Sequence, residues 1–319
     1  MVPKTGPSAR CCLLLPVLLF VGVGCRCDGA PSRRQPSSAV PVPAVAAEVI
    51  AKVRCQADGT FPRELPIAEA SGAALLPAGA RDAEVLLVVS DSGNDGAVLR
   101  VPLSGVADER KLEAGKLRLG DVRSDDVEGV AARGGALYTL TSSGVVRRFA
   151  FQDGALVATG APYVIGPPPH SCPRLNDANC GKNWEGLCLR AESITARCAG
   201  SAASKTDGAL HCVVEEGGHL RIDPLKPALA LALPDKALSD CAFGAAGGAA
   251  ERTLVVTTNV HGGSKSYVVD EASGELARID VPGHVTNEAI AIDRGGALYQ
   301  LMDDNHAPSA ASRHVCTGW

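Results

Sequence analysis

Five acidic residues recur along this chain, each at the head of a run of small apolar residues. They are Glu69 in EASGAALL, Glu128 in DVEGVAAR, Glu185 in NWEGLCLR, Asp240 in SDCAFGAA and Glu288 in NEAIAIDR. The steps between them are 59, 57, 55 and 48 residues, close to one period. A second polar set comes from aligning the more apolar stretches that follow, EVLLVVSDSG, GALYTLTSSG, GALHCVVEEGG, RTLVVTTNVHGG and GALYQLMDDN. That alignment makes Asp91, Ser142, Glu215, Asn259 and Asp303 equivalent. Carboxylates gathered on one centre cannot all stay ionised unless a cation or hydrogen-bond donors compensate them. A hard cation with six to eight oxygen ligands, Ca²⁺ before Mg²⁺, would do so at Glu69, Glu128, Glu185, Asp240 and Glu288. The competing reading needs no metal: each acid accepts backbone N–H groups of the neighbouring repeat, because a buried polar group requires a partner. Both could hold, at different repeats.

The repeat says which elements must position these groups. Each acid opens one short apolar stretch, a second follows, and a third or fourth comes after Gly-rich turn signals, as in AVLRVPL, GVVRRFAF, HLRIDPL and KSYVVDEASGELARIDV. Three to four strands per ~50 residues, without a long helical period, is how a propeller blade reads. The expectation is an all-β propeller of about five blades, six at most, with a disulfide-bearing insertion in the third, RAESITARCAGSAASKTDGA. A β-sandwich whose repeats arise from Ala/Gly/Val-rich composition is the alternative. In a propeller the innermost strands line a central channel, so the repeated acids would converge.

Composition agrees: 35 Gly and 21 Pro against two Met and five Phe describe short strands and many turns. The net charge of -4, with no Lys/Arg-rich block, excludes a nucleic-acid partner. Lys4 and Arg10 precede the apolar run CCLLLPVLLFVGVG, which reads as an export signal over residues 1–24. VGVGC resembles a lipobox, with Cys25 as the lipidated residue and Gly22 where Leu is usual; a plain secreted protein is the other reading. Residues 25–50 form a Pro/Ser/Ala-rich tether, and 51–319 the propeller. The expected setting is therefore the bacterial envelope, as an outer-membrane lipoprotein touching the membrane through its lipid alone, or else the periplasm or medium, and as a monomer.

Eight cysteines lie in the folded region: Cys55, Cys172, Cys180, Cys188, Cys198, Cys212, Cys241 and Cys316. They form no CxxC pair, so disulfides are expected rather than zinc. Their connectivity stays open, although Cys55 and Cys316 stand at the two ends of the domain and could tie them together.

The runs ASGAAL, SDSGNDG, DVEGVA, NWEGL and NEAIAID resemble the SdiA-regulated and esterase-like phytase group of exported bacterial propellers, over roughly Glu64 to Asn305. The group's D-x-E-G-I-A and N-x-E-G-I segments match at Asp126, Glu128, Asn183, Glu185, Asn287 and Glu288. Asp240 departs from the pattern, as do Ala70 and Ala73. The resemblance implies a propeller of about five blades, calcium near the channel and, for the phytase-like branch, phosphoester hydrolysis.

No GxSxG, HExxH, P-loop or dinucleotide motif is present. Of seven histidines only His261, His284 and His306 fall in loops expected near the acidic face, and cations for a phosphate-rich substrate are few: Lys182, Lys265 and Arg294. The sequence therefore points to a calcium-binding channel face that binds a small ligand or an envelope protein. The alternative is a metal-dependent esterase or phosphoesterase using the same face.

Overall fold

Runs such as VLLVVS, ALYTLT and LVVTT are rich in apolar and β-branched residues and too short for helices. In the computed structural model they form five antiparallel sheets, one per repeat. The structure describes residues 53–76, 84–91, 96–103, 112–117, 126–152, 155–166, 183–233, 238–259, 263–281, 286–303 and 308–319. Among them there is no helix. The expected leader and tether, with Cys25, lie outside the described residues, as do Cys172, Cys180, His170, His261, His284, His306 and Lys182.

From the hub outward, blade 1 comprises Ala70–Leu76, Val85–Ser90, Ala97–Pro102 and Glu113–Lys116. Blade 2 comprises Val127–Arg133, Ala136–Thr141, Val145–Gln152 and Ala155–Ala158, and blade 3 Trp184–Leu189, Gly200–Ser204, Ala209–Glu216 and His219–Ile222. Blade 4 comprises Leu238–Phe243, Leu254–Thr258, Ser266–Val269 and Leu276–Arg278. Blade 5 takes Asn287–Ile292, Ala297–Met302 and Pro308–Thr317 from the C-terminal end, and its outermost strand, Arg54–Ala57, from the other end of the domain. Each inner strand packs on the next, and the fifth on the first, so the ring closes. Tight hairpins depend on residues that tolerate left-handed backbone: Gly134 and Gly135 both have positive φ, 57° and 73°, between the first two strands of blade 2.

The core lies between blades. Trp184, Tyr138, Leu140 and Leu187 join blades 2 and 3, while Phe61, Tyr299, Leu86 and Leu99 join blades 5 and 1.

Blade 3 differs from the sequence expectation. GALHCVVEEGG is its third strand; the second is Gly200–Ser204, inside the stretch read as an insertion. The extra length is the loop 190–199, and Cys198 in it bonds Cys212. Cys188 and Cys241 link the inner strands of blades 3 and 4.

Ring closure carries the third described disulfide. Cys55 and Cys316 are opposed in the register of the outer pair and are bonded. Arg313, on the same C-terminal strand, holds Asp58 on the N-terminal side and Asp293 on the inner one, and its Nε donates to the Tyr299 hydroxyl at 2.7 Å. Tyr299 in turn donates to Asp293 at 2.9 Å. Three disulfides in one domain belong to an oxidising compartment, so this is an exported protein.

Cys55 and Cys316 are 261 residues apart, so their bond constrains nearly the whole unfolded domain. Replacing both by alanine is expected to lower stability by about 3–5 kcal/mol, read by denaturant melting at fixed pH. The same change at Cys198 and Cys212, 14 residues apart, is expected to cost less, about 3 kcal/mol or under.

Candidate functional site

All five inner strands begin with the same irregularity. Pairing with the second strand slips by one residue at Ser71, Glu128, Glu185, Ser239 and Glu288, leaving each as the extra residue of a β-bulge. A bulge re-aims its side chain and ends regular pairing, which suits a position at a channel mouth. The structural ring is thus three glutamates and two serines.

Glu128, Glu185 and Glu288 stand where the sequence places them. Glu69 lies two residues ahead of its blade's bulge, at a positive φ of 50°, where its carbonyl accepts from the Asp91 amide. Asp240 lies one residue past its bulge, at the position held by Gly72, Gly129 and Gly186 in blades 1 to 3. Those glycines permit close approach of adjacent inner strands: a Cβ on Gly129 would sit 2.5 Å from the Leu187 amide nitrogen. Asp240 instead reaches across the blade boundary. Its Oδ2 accepts from the Ile290 amide of blade 5 at 2.8 Å and its Oδ1 from the Cys241 amide at 2.7 Å. At this blade the metal-free reading is the one the geometry matches. The two bulge serines also tie blades: Ser71 Oγ donates to the Val127 carbonyl and Ser239 Oγ to the Asn287 carbonyl, each just before the next glutamate.

The second polar set needs one correction. Asp91, Ser142, Asn259 and Asp303 each follow a second strand, as expected. Glu215 sits on the third strand of blade 3, where Arg133 pairs with it at 3.0 Å and the Tyr138 hydroxyl donates to it. The residue after the second strand of blade 3 is Lys205, whose Nζ lies 3.2 Å from Glu185. Sequence reasoning missed it. The available signal was a hydroxyl residue closing four of the second strands, Ser90, Thr141, Ser204 and Thr258.

The resulting electrostatics are strongly acidic. Burial first, then the charges of Asp91, Glu185, Asp126 and Glu288, hold the Glu128 carboxyl well above the usual range. Burial likewise pushes Glu185 up to about 7, with Lys205 pulling it down and Glu288 and Asp126 adding to the rise. Glu288 also reaches about 7, through burial and the Asp303 charge, against Lys205 and a hydrogen bond donated by the Asn259 amide. Six carboxyls therefore share one mouth, with Lys205 paired to one of them. Asp240 is raised as well, by burial, despite its two amide donors.

One oxygen each from Asp91, Asp126 and Glu128 lie within 4.8 Å of one another. Two oxygens held by one Ca²⁺ at about 2.4 Å are at most about 4.8 Å apart, a condition for sharing an ion that these three meet. An oxygen-only donor set fits Ca²⁺ or Mg²⁺ and not a thiophilic metal.

The sequence matches no protein-family model and no curated protein. Among solved structures, a glutaminyl cyclase from Myxococcus xanthus superposes with a TM-score of 0.50 at 15% identity, over 84% of this chain and 99% of its own. The α-L-arabinofuranosidase PaAbf62A from Podospora anserina gives 0.46 at 12%, over 84% and 97%, and a streptogramin B lyase 0.39 at 9%, over 81% and 68%. These are β-propeller-like proteins, and at such identities the likeness is one of fold alone.

Two outcomes follow from the charges. Glu185 and Glu288 titrate near 7 when folded against an ordinary 4.5, so between those values the folded protein binds more protons than the unfolded chain. Stability of the metal-free protein is therefore expected to fall as pH rises from about 4.5 to about 7 and to level off above. Melting temperatures at pH 5 and pH 8 check this, and Glu185→Gln should flatten the slope. Asp240→Ala strands two buried amides and is expected to cost about 2–4 kcal/mol in denaturant melts without altering any cation response of the hub.

Proposed function

We propose that the acidic mouth of this exported propeller is a divalent-cation site, calcium by preference, that binds a small ligand over the hub. The observation that carries this reading is the triad of Asp91, Asp126 and Glu128 at the spacing of ligands to one ion. The ion would be held by these carboxylates and would offset the repulsion that drives Glu128 toward its neutral form. Glu185, Lys205, Asn259 and Glu288 then surround the remaining space as hydrogen-bonding groups for the ligand. The excess of carboxyls over cations there favours a neutral or cationic ligand and disfavours a phosphate-rich one such as phytate. Lipidation at Cys25 would hold the protein at the envelope surface, and the resemblance to the esterase-like phytase group points to the same setting.

A second reading, a hydrolase or related acyl-transfer enzyme at the same face, is favoured by one feature. Glu185 and Glu288 are poised near neutrality, where a carboxyl can both take and give a proton, and Lys205 stands beside the first. A metal there would supply an activated water or polarise a carbonyl.

Calorimetric titration of Ca²⁺ into chelator-treated protein tests the first reading, together with melting curves. Calcium at 100 times Kd should add about 2.7 kcal/mol of stability, with Mg²⁺ weaker. Asp126→Asn with Glu128→Gln should cut calcium affinity at least about tenfold, yet raise metal-free stability at pH 8 by relieving like charge. Identical wild-type melts with and without calcium would remove the ion. Chelator-sensitive turnover of an aryl ester, a phosphomonoester, phytate or a glutaminyl peptide would establish the enzyme instead.

A further inference from the structure

The opposite end of the channel is built differently. Three residues past each bulge the inner strands present Ala74, Ala131, Cys188, Ala242 and Ala291, four alanines and one half-cystine at equivalent positions in the five blades. The small side chains leave a cavity of about 360 Å³ whose wall they share with the aliphatic residues beside them. Polar side chains are confined to its rim, where Glu84 and Arg294 stand at strand ends and Glu192 and Ser193 in the loop 190–199; Arg133, also there, is committed to Glu215 and to the Arg190 carbonyl.

We propose that this cavity is a second binding site, distinct from the acidic mouth, for a small neutral aromatic molecule. Its volume falls in the range of small-molecule pockets, and an apolar cavity of about 150 Å³ already accepts benzene. At about 30 Å³ each some dozen waters would fit, yet below the rim the side chains of the wall offer them no donor or acceptor, and only the free backbone edges of the inner strands can hold them. Replacing poorly held waters by an apolar body is favourable.

The wall also says what kind of body. Phe243 supplies an aromatic surface and is itself fixed, with the Arg190 guanidinium 4.2 Å from its ring centroid and that guanidinium paired with Glu271. Below the rim the wall offers only alkyl, disulfide and aromatic groups, which suit an uncharged ring and would leave an ion's charge unsolvated. The cavity is preformed as well: the Cys188–Cys241 bond on its wall ties blades 3 and 4 covalently, and little ordering is left for a ligand to impose.

Indole, benzoate and benzylamine, matched in size and differing in charge, test the site by calorimetric titration in chelator-treated protein. Indole is expected to bind saturably with a Kd of about 1 mM or tighter, and more tightly than either ion. Ala131→Leu and Ala242→Leu, from different blades, should each weaken it at least about tenfold. Circular dichroism and an unchanged calcium response at the opposite mouth show that each variant is folded. Absence of saturable indole binding would overturn the proposal, and so would equal affinity in both folded variants. Tighter binding of benzoate or benzylamine would overturn it too, since the rim and not the wall would then select.

Discussion

Repulsion between carboxyls that a closed ring forces onto one axis is the constraint on which the rest of this molecule turns. A propeller has no freedom to spread its inner strands: each is packed between two others, and glycines at Gly129 and Gly186 let them touch. Whatever side chain the bulge presents at the strand head must therefore face its counterparts. Three bulges present glutamate, and three aspartates join them from the adjoining strand ends. Burial then prevents water from screening the result. The protein meets this by leaving some carboxyls neutral near pH 7, by placing Lys205 beside Glu185, and by keeping a cluster of oxygens at the spacing a cation would need.

The ring itself must be strong enough to hold such a centre. Its closing seam is blade 5, assembled from both ends of the domain, and there the structure concentrates a disulfide, a guanidinium shared by two aspartates and a buried tyrosine hydroxyl. Blades 4 and 5 are joined at the hub by Asp240, and blades 3 and 4 by Cys188 and Cys241. The two bulge serines perform the smaller version of the same task. Acid at the head of an inner strand thus has two separate uses: a titratable group turned to the mouth at Glu128, Glu185 and Glu288, and an interblade clamp at Asp240.

Much of this was legible in the chain. The period, the paired strands and the cysteines at both ends sufficed for a ring of about five sheets, because hub geometry imposes the same short pattern on every blade. What the sequence obscured was register. Aligning the repeats on their acids matched Glu69 and Asp240 to the glutamates of other blades, whereas aligning on the small residue after the bulge (Gly72, Gly129, Gly186, Ala289) brings Ser71 into the ring; in blade 4 Asp240 itself holds that place, which hides Ser239. A one-residue slip exchanges a channel side chain for an interblade one, and acidity alone cannot report it. Blade 3 hid Lys205 for a different reason. Its second strand, GSAAS, is too small and polar to look like a strand, and it is held in place by its neighbours rather than by its own propensity.

The state of the hub carboxyls tests the account most directly. Carbon-13 titration of the Glu185 and Glu288 side-chain carboxyls should place both near pH 7 in chelator-treated protein, and lower when calcium is bound close by. If both titrate in the ordinary carboxylate range without calcium and do not move when it is added, the charges do not converge as described, and the hub is not the site.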